Sequence, residues 1–477
     1  MTDPATEPTT IERDETPGFV LPPLRDENDN LSSDFLDALV AAIDGGDAAA
    51  ARSLTEDLHE ADVGAILEQL DPDQRPALIQ LLGDSFDFTA LTELDEATRV
   101  EILEDLPSET VAEGISELDS DDAVYILEDL DKEDRDEILA QIPSVERLAL
   151  KRSLDFPEDS AGRRMQTEFI AVAPFWTVGQ TIDYMRDAEE LPETFHEVFV
   201  VDPAFRLLGR VPLDRLLRSR RPVKMSEIVD EDATVVHATD DLSSVARQFQ
   251  RYNLISAAVV DEADRLVGIM TIDDAVDVIE EEADEDIKRL GGVGDEEVSD
   301  RVWSIARSRL PWLCINLGTA ILASSVIGLF EQELQKMVAL AVLMPIVASQ
   351  GGNAGTQTMT VAVRALATRE LGPHNMSRVV GRELIVGLLN GVFFASIVAA
   401  VAIFRFGIVD LGVVIAAAMV VNLVAAALGG ILIPLAINKL KFDPAIASGA
   451  FVTTVTDLVG FFSFLGFAAL WFGFSSG

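Results

Sequence analysis

The sequence predicts a multi-domain chain: an all-α superhelical N-terminal domain, a duplicated α/β pair, and an α-helical membrane domain with five transmembrane helices. Three observations predict it. Leucines recur every twelve residues from Leu58 onward. A strand–turn–strand–helix pattern around Phe199 returns 59 residues later. Five long apolar runs then follow one another from residue 310 to the C-terminus.

The 477 residues are enough for three domains of ordinary size. Mean hydropathy is +0.24 although 25% of the residues are charged, so apolar and charged residues are segregated along the chain. The first 303 residues hold 26 Lys/Arg against 75 Asp/Glu, and the remainder 10 against 7. The acidity therefore belongs to the first part. One reading is a halophile's surface, kept hydrated by carboxylates whose repulsion salt screens. The other is cation binding, which needs far fewer acids. Nucleic acid is excluded as a partner, because phosphate would be repelled. The lone Cys314 lies in an apolar run and supports neither a disulfide framework nor a cysteine metal site. No apolar signal segment opens the chain, and residues 1–30 read as a disordered acidic tail.

Residues 31–157 form the first expected domain. Leu58, Leu70, Leu82, Leu94, Leu106, Leu118, Leu130 and Ile142 mark the repeat. Turns such as Asp71-Pro72-Asp73, Asp95-Glu96, Pro107-Ser108-Glu109, Asp119-Ser120-Asp121 and Asp131-Lys132-Glu133 follow them. A two-turn helix plus a turn fills that period, and stacking the units buries the leucines. The turn acids are expected mostly as helix N-caps.

The duplicated units are expected at 158–222 and 223–285. Phe199-Val200-Val201-Asp202 with Arg206-Leu207-Leu208-Gly209-Arg210-Val211 returns as Ala258-Val259-Val260-Asp261 with Arg265-Leu266-Val267-Gly268-Ile269-Met270. The duplication resembles a pair of CBS modules. Gly268-Ile269-Met270-Thr271-Ile272-Asp273-Asp274 is similar to the nucleotide pattern of such modules, which implies a site for ATP or another adenine nucleotide at Thr271 and Asp274. Pro212 stands in the first module where Thr271 stands in the second, so at most one site is expected. Downstream, Asp273, Asp274, Asp277, Glu280, Glu281, Glu282, Asp284, Glu285 and Asp286 crowd one helical stretch. Like charges at i, i+3 and i+4 destabilise a helix unless neutralised. Lys288 and Arg289 cannot balance nine acids, whereas hard divalent cations could. The alternative is a solvated face.

A connecting helix is expected at 286–309 and the membrane domain at 310–477, with spans near 310–330, 338–363, 385–404, 412–437 and 445–473. Arg301, Arg307 and Arg309 precede the first span. Arg364, Arg369, Arg378 and Arg382 lie between the second and third, and Lys439 and Lys441 between the fourth and fifth. The positive-inside rule puts the N-terminus in the cytoplasm and the C-terminus outside a plasma membrane. The second span carries Ser349-Gln350-Gly351-Gly352-Asn353-Ala354-Gly355-Thr356-Gln357-Thr358. Its glycines allow close approach of backbones, or local unwinding that frees carbonyls for a cation. The fifth span holds Asp457 after Thr453-Thr454-Val455-Thr456. An intramembrane carboxylate is expensive and reads as a cation site. Asn390 and Asn422 are either further site residues or interhelical hydrogen bonds. Glu383 reads as a side chain snorkelling to the interface.

In this order, superhelix, CBS pair, connecting helix and five spans resemble the MgtE family of magnesium channels. The most specific words are Gly351-Gly352-Asn353-Ala354-Gly355-Thr356-Gln357-Thr358, Asp443-Pro444-Ala445 and Thr453-Thr454-Val455-Thr456-Asp457. The resemblance implies a homodimer in the lipid bilayer, with a pore on the two-fold axis where Asp457 of both subunits holds hydrated Mg²⁺. Thr454 and Asn353 would join it. Sensing sites would fall on Asp274, Asp277, Glu282, Glu285 and Asp286, whose Mg²⁺ would press the helix near 296–309 against the pore and close it. Asn253 and Ser243 stand where acids would be expected, and Gly449 where some members have a polar residue.

The function expected is Mg²⁺ influx along its gradient, closed by cytoplasmic Mg²⁺. No Gly-rich loop ending in Lys-Ser/Thr is present, so nucleotide hydrolysis is not expected to drive it and no enzymatic activity is expected. Mg²⁺ dehydrates reluctantly, which suits a pore of carbonyls, amides and one carboxylate per subunit. Two rivals stand beside this: a proton- or Na⁺-coupled carrier of Co²⁺ or Ni²⁺, and a membrane sensor that transports nothing.

Overall fold

A computed structural model describes residues 22–188, 191–192, 194–294, 296, 302–372 and 374–473. The chain divides into two compact units, Met1–Ile279 and Glu280–Gly477.

The first unit opens with helices α1 (Ser33–Gly45), α2 (Ala48–Thr55), α3 (Glu60–Gln69), α4 (Gln74–Leu82), α5 (Glu96–Asp105), α6 (Ser108–Glu117), α7 (Ser120–Glu128), α8 (Lys132–Gln141) and α9 (Ser144–Leu154). The twelve-residue leucines explain the stacking. Leu70, Leu106, Leu118 and Ile142 are C-cap residues in extended conformation, which turns them off the helix axis; Leu70, Leu106 and Ile142 end in one continuous core. The helices also share an arginine device. Arg75 Nε donates to the carbonyls of Leu67 and Leu70, Arg99 Nη1 to those of Leu91 and Leu94, and Arg147 Nη1 to that of Ala140. Each guanidinium thus serves carbonyls at a helix or turn end.

Two expectations change here. The acidic tail was expected to be disordered through residue 30, but residues 22–30 are ordered. Arg25 bridges to Leu31 and pairs with Asp62, while Leu24 and Leu31 pack on the helical core; residues 1–21 lie outside the described residues. Of the turn acids, Asp95 caps its helix by accepting the Thr98 amide at 2.7 Å, whereas Asp73, Asp119 and Asp131 make no side-chain cap bond.

The α/β part follows: β1 (Ala171–Val172), α10 (Val178–Asp187), β2 (Glu197–Val201), β3 (Leu207–Pro212), α11 (Leu213–Arg218), α12 (Met225–Ile228), β4 (Val235–His237), α13 (Leu242–Tyr252), β5 (Ser256–Val260), β6 (Leu266–Thr271) and α14 (Ile272–Leu290). The sheets β1-β2-β3 and β4-β5-β6 each pair one parallel and one antiparallel neighbour. Val200 opposite Gly209 recurs as Val259 opposite Gly268, and the bulge at Val200/Val201 recurs at Val259/Val260. The modules face each other through equivalent residues. Arg206 bridges Arg265, and the Ser256 hydroxyl donates to Glu197 Oε1 at 2.7 Å. Both pairs are separated by the 59-residue repeat, which gives the two modules an approximate two-fold relation.

The second unit begins within α14. Of the connecting stretch, residues 286–290 end α14 and residues 302–309 open α15 (Val302–Gly328). Then come α16 (Glu331–Lys336), α17 (Val338–Ala367), α18 (Met376–Phe406), α19 (Val409–Lys439) and α20 (Pro444–Trp471). Five of these helices are long and apolar enough to cross a membrane. Helix α19 is the most buried of the five and packs on α17, α18 and α20. Small residues make that possible. A Cβ on Gly387 of α18 would lie 2.7 Å from Ala427, and one on Gly430 of α19 would lie 2.7 Å from the Gly355 carbonyl.

Candidate cation sites

Helix α7 projects its first turn into a cleft lined by both α/β modules. The cavity, about 120 Å³, is lined by Asp119, Asp121, Asp122, Glu197, Asp273, Asp274 and Asp277, with Thr271, His196, Phe169 and Phe199 among the other walls. Among the described residues no Lys or Arg lines it. Residues 163–168 hold α7 there. The Ser120 amide and hydroxyl donate to Glu168 Oε2 at 3.2 and 2.8 Å, and the Thr167 amide donates to Ser120 Oγ at 2.7 Å. At the other end of the helix Arg163 pairs with Glu128 at 2.8 Å. The Arg164 guanidinium lies 4.0 Å from the Tyr125 ring centroid. Gln166 continues this segment into a bridge with Ile269 of β6.

The electrostatics follow from burial. Asp121 is pushed well above the usual carboxylate range by burial, with the charges of Asp274, Asp122 and Asp119 adding to it. Asp122 is raised to about 7, first by burial and then by Asp274, Asp119, Asp273 and Asp277. Asp274 is also raised to about 7, by burial and by Asp273, against the opposing hydrogen bonds from Thr271. Such a cleft favours protonated carboxyls, and a cation bound there would compete with those protons. Among the described residues no three His, Cys, Asp or Glu side chains stand close enough to grip one ion directly.

The nucleotide reading of Thr271 and Asp274 meets a competing account. Thr271 is the residue before α14, and its amide and hydroxyl donate to Asp274 Oδ2 at 3.2 and 2.7 Å. That is one half of a capping box, in which the N3 acid reaches back to the N-cap residue. The acids of α7 also occupy the side from which phosphates would be repelled.

The five acids expected to sense ions fall into two groups. Asp274 and Asp277 belong to the cleft in the first unit. Glu282, Glu285 and Asp286 belong to the second. There Arg289 pairs with Glu285 at 2.7 Å and with Asp443 at 3.1 Å. Asp443 in turn caps α20 by accepting the Ala445 amide at 2.8 Å. Burial raises Asp286, and the charges of Asp443 and Glu282 raise it further. Leu290 packs with Met359, Val363, Ala445 and Val452, so the end of α14 is seated against α17 and α20.

In the membrane part, α17 is one continuous helix through the glycine-rich segment. Unwinding, one of the two expected uses of the glycines, does not occur; close approach does. A Cβ on Gly351 would fall 2.1 Å from Asn422 Nδ2, and one on Gly355 would fall 2.7 Å from Val452 and 3.3 Å from Thr456. These contacts bring Asn353, between the two glycines, and Asp457, next to Thr456, to one level of the helix bundle. Ser349, Asn353, Thr356, Gln357 and Thr360 are exposed and recur at i, i+4, i+7, i+8 and i+11, a single polar stripe along a spanning helix. Asp457 is half-buried. The hydroxyls of Thr453, Thr454 and Thr456 donate back to helix carbonyls, which leaves their lone pairs to accept or ligate.

Of the two asparagines, Asn422 makes an interhelical bond: Nδ2 donates to the Val347 carbonyl at 2.8 Å. Asn390 is exposed on α18. Glu383 departs from the snorkelling expectation. Its side chain is 15% exposed and lines an inner cavity with Thr358, Asn375 and Arg382, because Arg382 at 3.2 Å gives it a partner without leaving the protein. Sequence reasoning missed Asp121 and Asp122 as site residues. The signal available was an Asp-Asp pair placed at a helix start without making a cap.

Comparisons with known proteins bear on these sites. Residues 344–467 match the MgtE family, described as divalent cation transporters; residues 58–159 match the MgtE intracellular N domain, and 225–281 a CBS domain. The magnesium transporter MgtE of Thermus thermophilus is 34% identical over 454 residues, covering 91% of this chain and 97% of that protein. Its Enterococcus faecalis counterpart is 35% identical over 328 residues, covering 69% and 72%. Among solved structures, the cytosolic domain of the Mg²⁺ channel MgtE in complex with ATP is 30% identical, with a TM-score of 0.48, covering 51% of this chain and 99% of that one.

Proposed function

The chain belongs to the MgtE family, and from that premise we propose that it conducts Mg²⁺ into the cytoplasm as a homodimer and closes when cytoplasmic Mg²⁺ is high. One observation carries the reading. A polar stripe of Ser349, Asn353, Thr356, Gln357 and Thr360 is exposed on a helix long and apolar enough to span a membrane, at the level of Asp457. Facing lipid, that stripe would leave the carboxamides of Asn353 and Gln357 short of partners, at ~2 kcal/mol or more for each group. Facing a second copy across a water-filled path, it supplies oxygen ligands to a hydrated cation, with Asp457 and Thr454 beside it.

Closure is assigned to the two acidic groups. At low Mg²⁺ the like charges around Asp121, Asp122 and Asp274, and around Asp286 and Asp443, repel. Bound Mg²⁺ relieves that repulsion only where the acids are brought together, so it favours the state that gathers them. A carrier coupled to protons or Na⁺ would use Asp457 as its switch instead, and a sensor would move nothing.

The test is Mg²⁺ uptake by the full chain in liposomes. Wild type takes up Mg²⁺ without an imposed proton or Na⁺ gradient, and Asp457→Asn loses most of that flux while still assembling. Uptake that needs a proton or Na⁺ gradient would favour the carrier. No uptake under any gradient would leave the sensor.

A further inference from the structure

Asn422 lies in α19 with none of its surface exposed. Its Nδ2 donates to the Val347 carbonyl of α17 at 2.8 Å. That bond settles which end of the amide is which, because only the NH₂ end can donate to a carbonyl. Two glycines leave the slot it fills. A Cβ on Gly351 of α17 would sit 2.1 Å from Nδ2, and one on Gly460 of α20 would sit 2.9 Å from it. Asn422 therefore joins three helices at the level of Asp457. Its Oδ1 is buried with no hydrogen-bond partner among the described residues. In hydrocarbon an unmade acceptor is a cost that a leucine of similar bulk would avoid. The carboxamide is sustained by what its other end does.

What that end does is grip one point on the circumference of α17. At 100° per residue, Ser349 and Asn353 lie about 200° and 240° around the helix from Val347. Holding Val347 against α19 thus directs the polar stripe to the opposite side. Gly351, one turn on, packs on the same amide through backbone alone, so the bond to Val347 adds a directional constraint to the close packing of that face. We infer that Asn422 is a positioning residue for the ion path: its bond to Val347 sets the rotation of α17, and with it which oxygens meet the ion. This rests on the conduction reading above.

The experiment compares wild type, Asn422→Leu and Asn422→Asp as full chains in liposomes, measuring Mg²⁺ and Ca²⁺ uptake at pH 5.5 and 8 and the melting temperature. The expected result for Asn422→Leu is a folded protein whose Mg²⁺/Ca²⁺ uptake ratio falls about tenfold, as the ligand ring loses its register. Asn422→Asp, whose carboxyl when protonated can donate to the Val347 carbonyl, keeps a ratio nearer wild type than Asn422→Leu does at pH 5.5. Ratios equal to wild type in both variants at both pH values, with only melting altered, would reduce Asn422 to packing and overturn the inference. Failure of both variants to fold at either pH would overturn it too, assigning Asn422 to assembly. Absence of uptake by wild type would instead sink the conduction reading itself.

Discussion

The Thr271 hydroxyl donates to Asp274 Oδ2 at 2.7 Å, so one oxygen of a cleft acid is held by the residue that starts its own helix. Asp274→Asn keeps an acceptor for Thr271 and removes the charge. Its closing curve is expected to move to higher Mg²⁺ by about tenfold, with little loss of folding. Thr271→Val keeps the charge and removes the hydroxyl bond, costing about 1 kcal/mol of local stability while closure stays near wild type. Mg²⁺ titrations of channel current in the two variants decide it. A larger shift for Thr271→Val would make the cap, rather than the charge, the functional element.

The raised carboxyls give a pH dependence whose sign is fixed. Asp122 and Asp274 hold protons to about pH 7 when folded, and the unfolded chain releases them near the ordinary 3.8. The folded state binds more protons between those values, so stability around α7 falls as pH rises through that window and levels off above it. Hydrogen exchange of α7 amides, corrected for intrinsic rates, should show weaker protection at pH 8 than at pH 5 without Mg²⁺. Millimolar Mg²⁺ should restore it at pH 8, and Asp122→Asn should flatten the profile. Equal slopes in wild type and Asp122→Asn would remove these acids as the cause.

Neighbouring glycines of α17 should respond oppositely to substitution. A Cβ on Gly351 meets Asn422 at 2.1 Å, while one on Gly352 meets nothing within 4 Å. Gly351→Ala should lower stability by roughly 1–3 kcal/mol through overpacking and reduce flux. Gly352→Ala should be neutral or slightly stabilising, since alanine favours the helix. Melting in detergent and liposome uptake check both; equal behaviour would mean that the two faces of α17 are not distinguished by packing.

The acids at the end of α14 can be set against a haloadapted surface. Neutralising Glu282, Glu285 and Asp286 to Gln and Asn should weaken Mg²⁺ closure about tenfold at fixed high ionic strength. Neutralising Glu104, Glu133 and Asp134, which are exposed in the helical domain, should leave closure alone. Identical closing curves in both triple variants would assign all of these acids to hydration.

Some of this protein was decided by sequence alone, because the deciding physics is local or periodic. Twelve-residue leucines specify short stacked helices, a 59-residue duplication specifies two facing modules, and runs of about twenty apolar residues can only be spans. Asp457 and the Asn353 segment stood out for the same reason: their cost depends on the medium around one helix. Only the tertiary structure decided which acids meet. Asp121 and Asp122 looked like ordinary turn acids until α7 was seen in the Asp274 cleft, and five acids of one helix proved to serve two different units. Likewise Glu383 turned to a cavity it shares with Thr358 of α17, and Asn422 found Val347. Each of these is a contact between surfaces far apart in the chain. Such contacts depend on how helices pack and which glycines let them approach, and no spacing within a single helix carries that information.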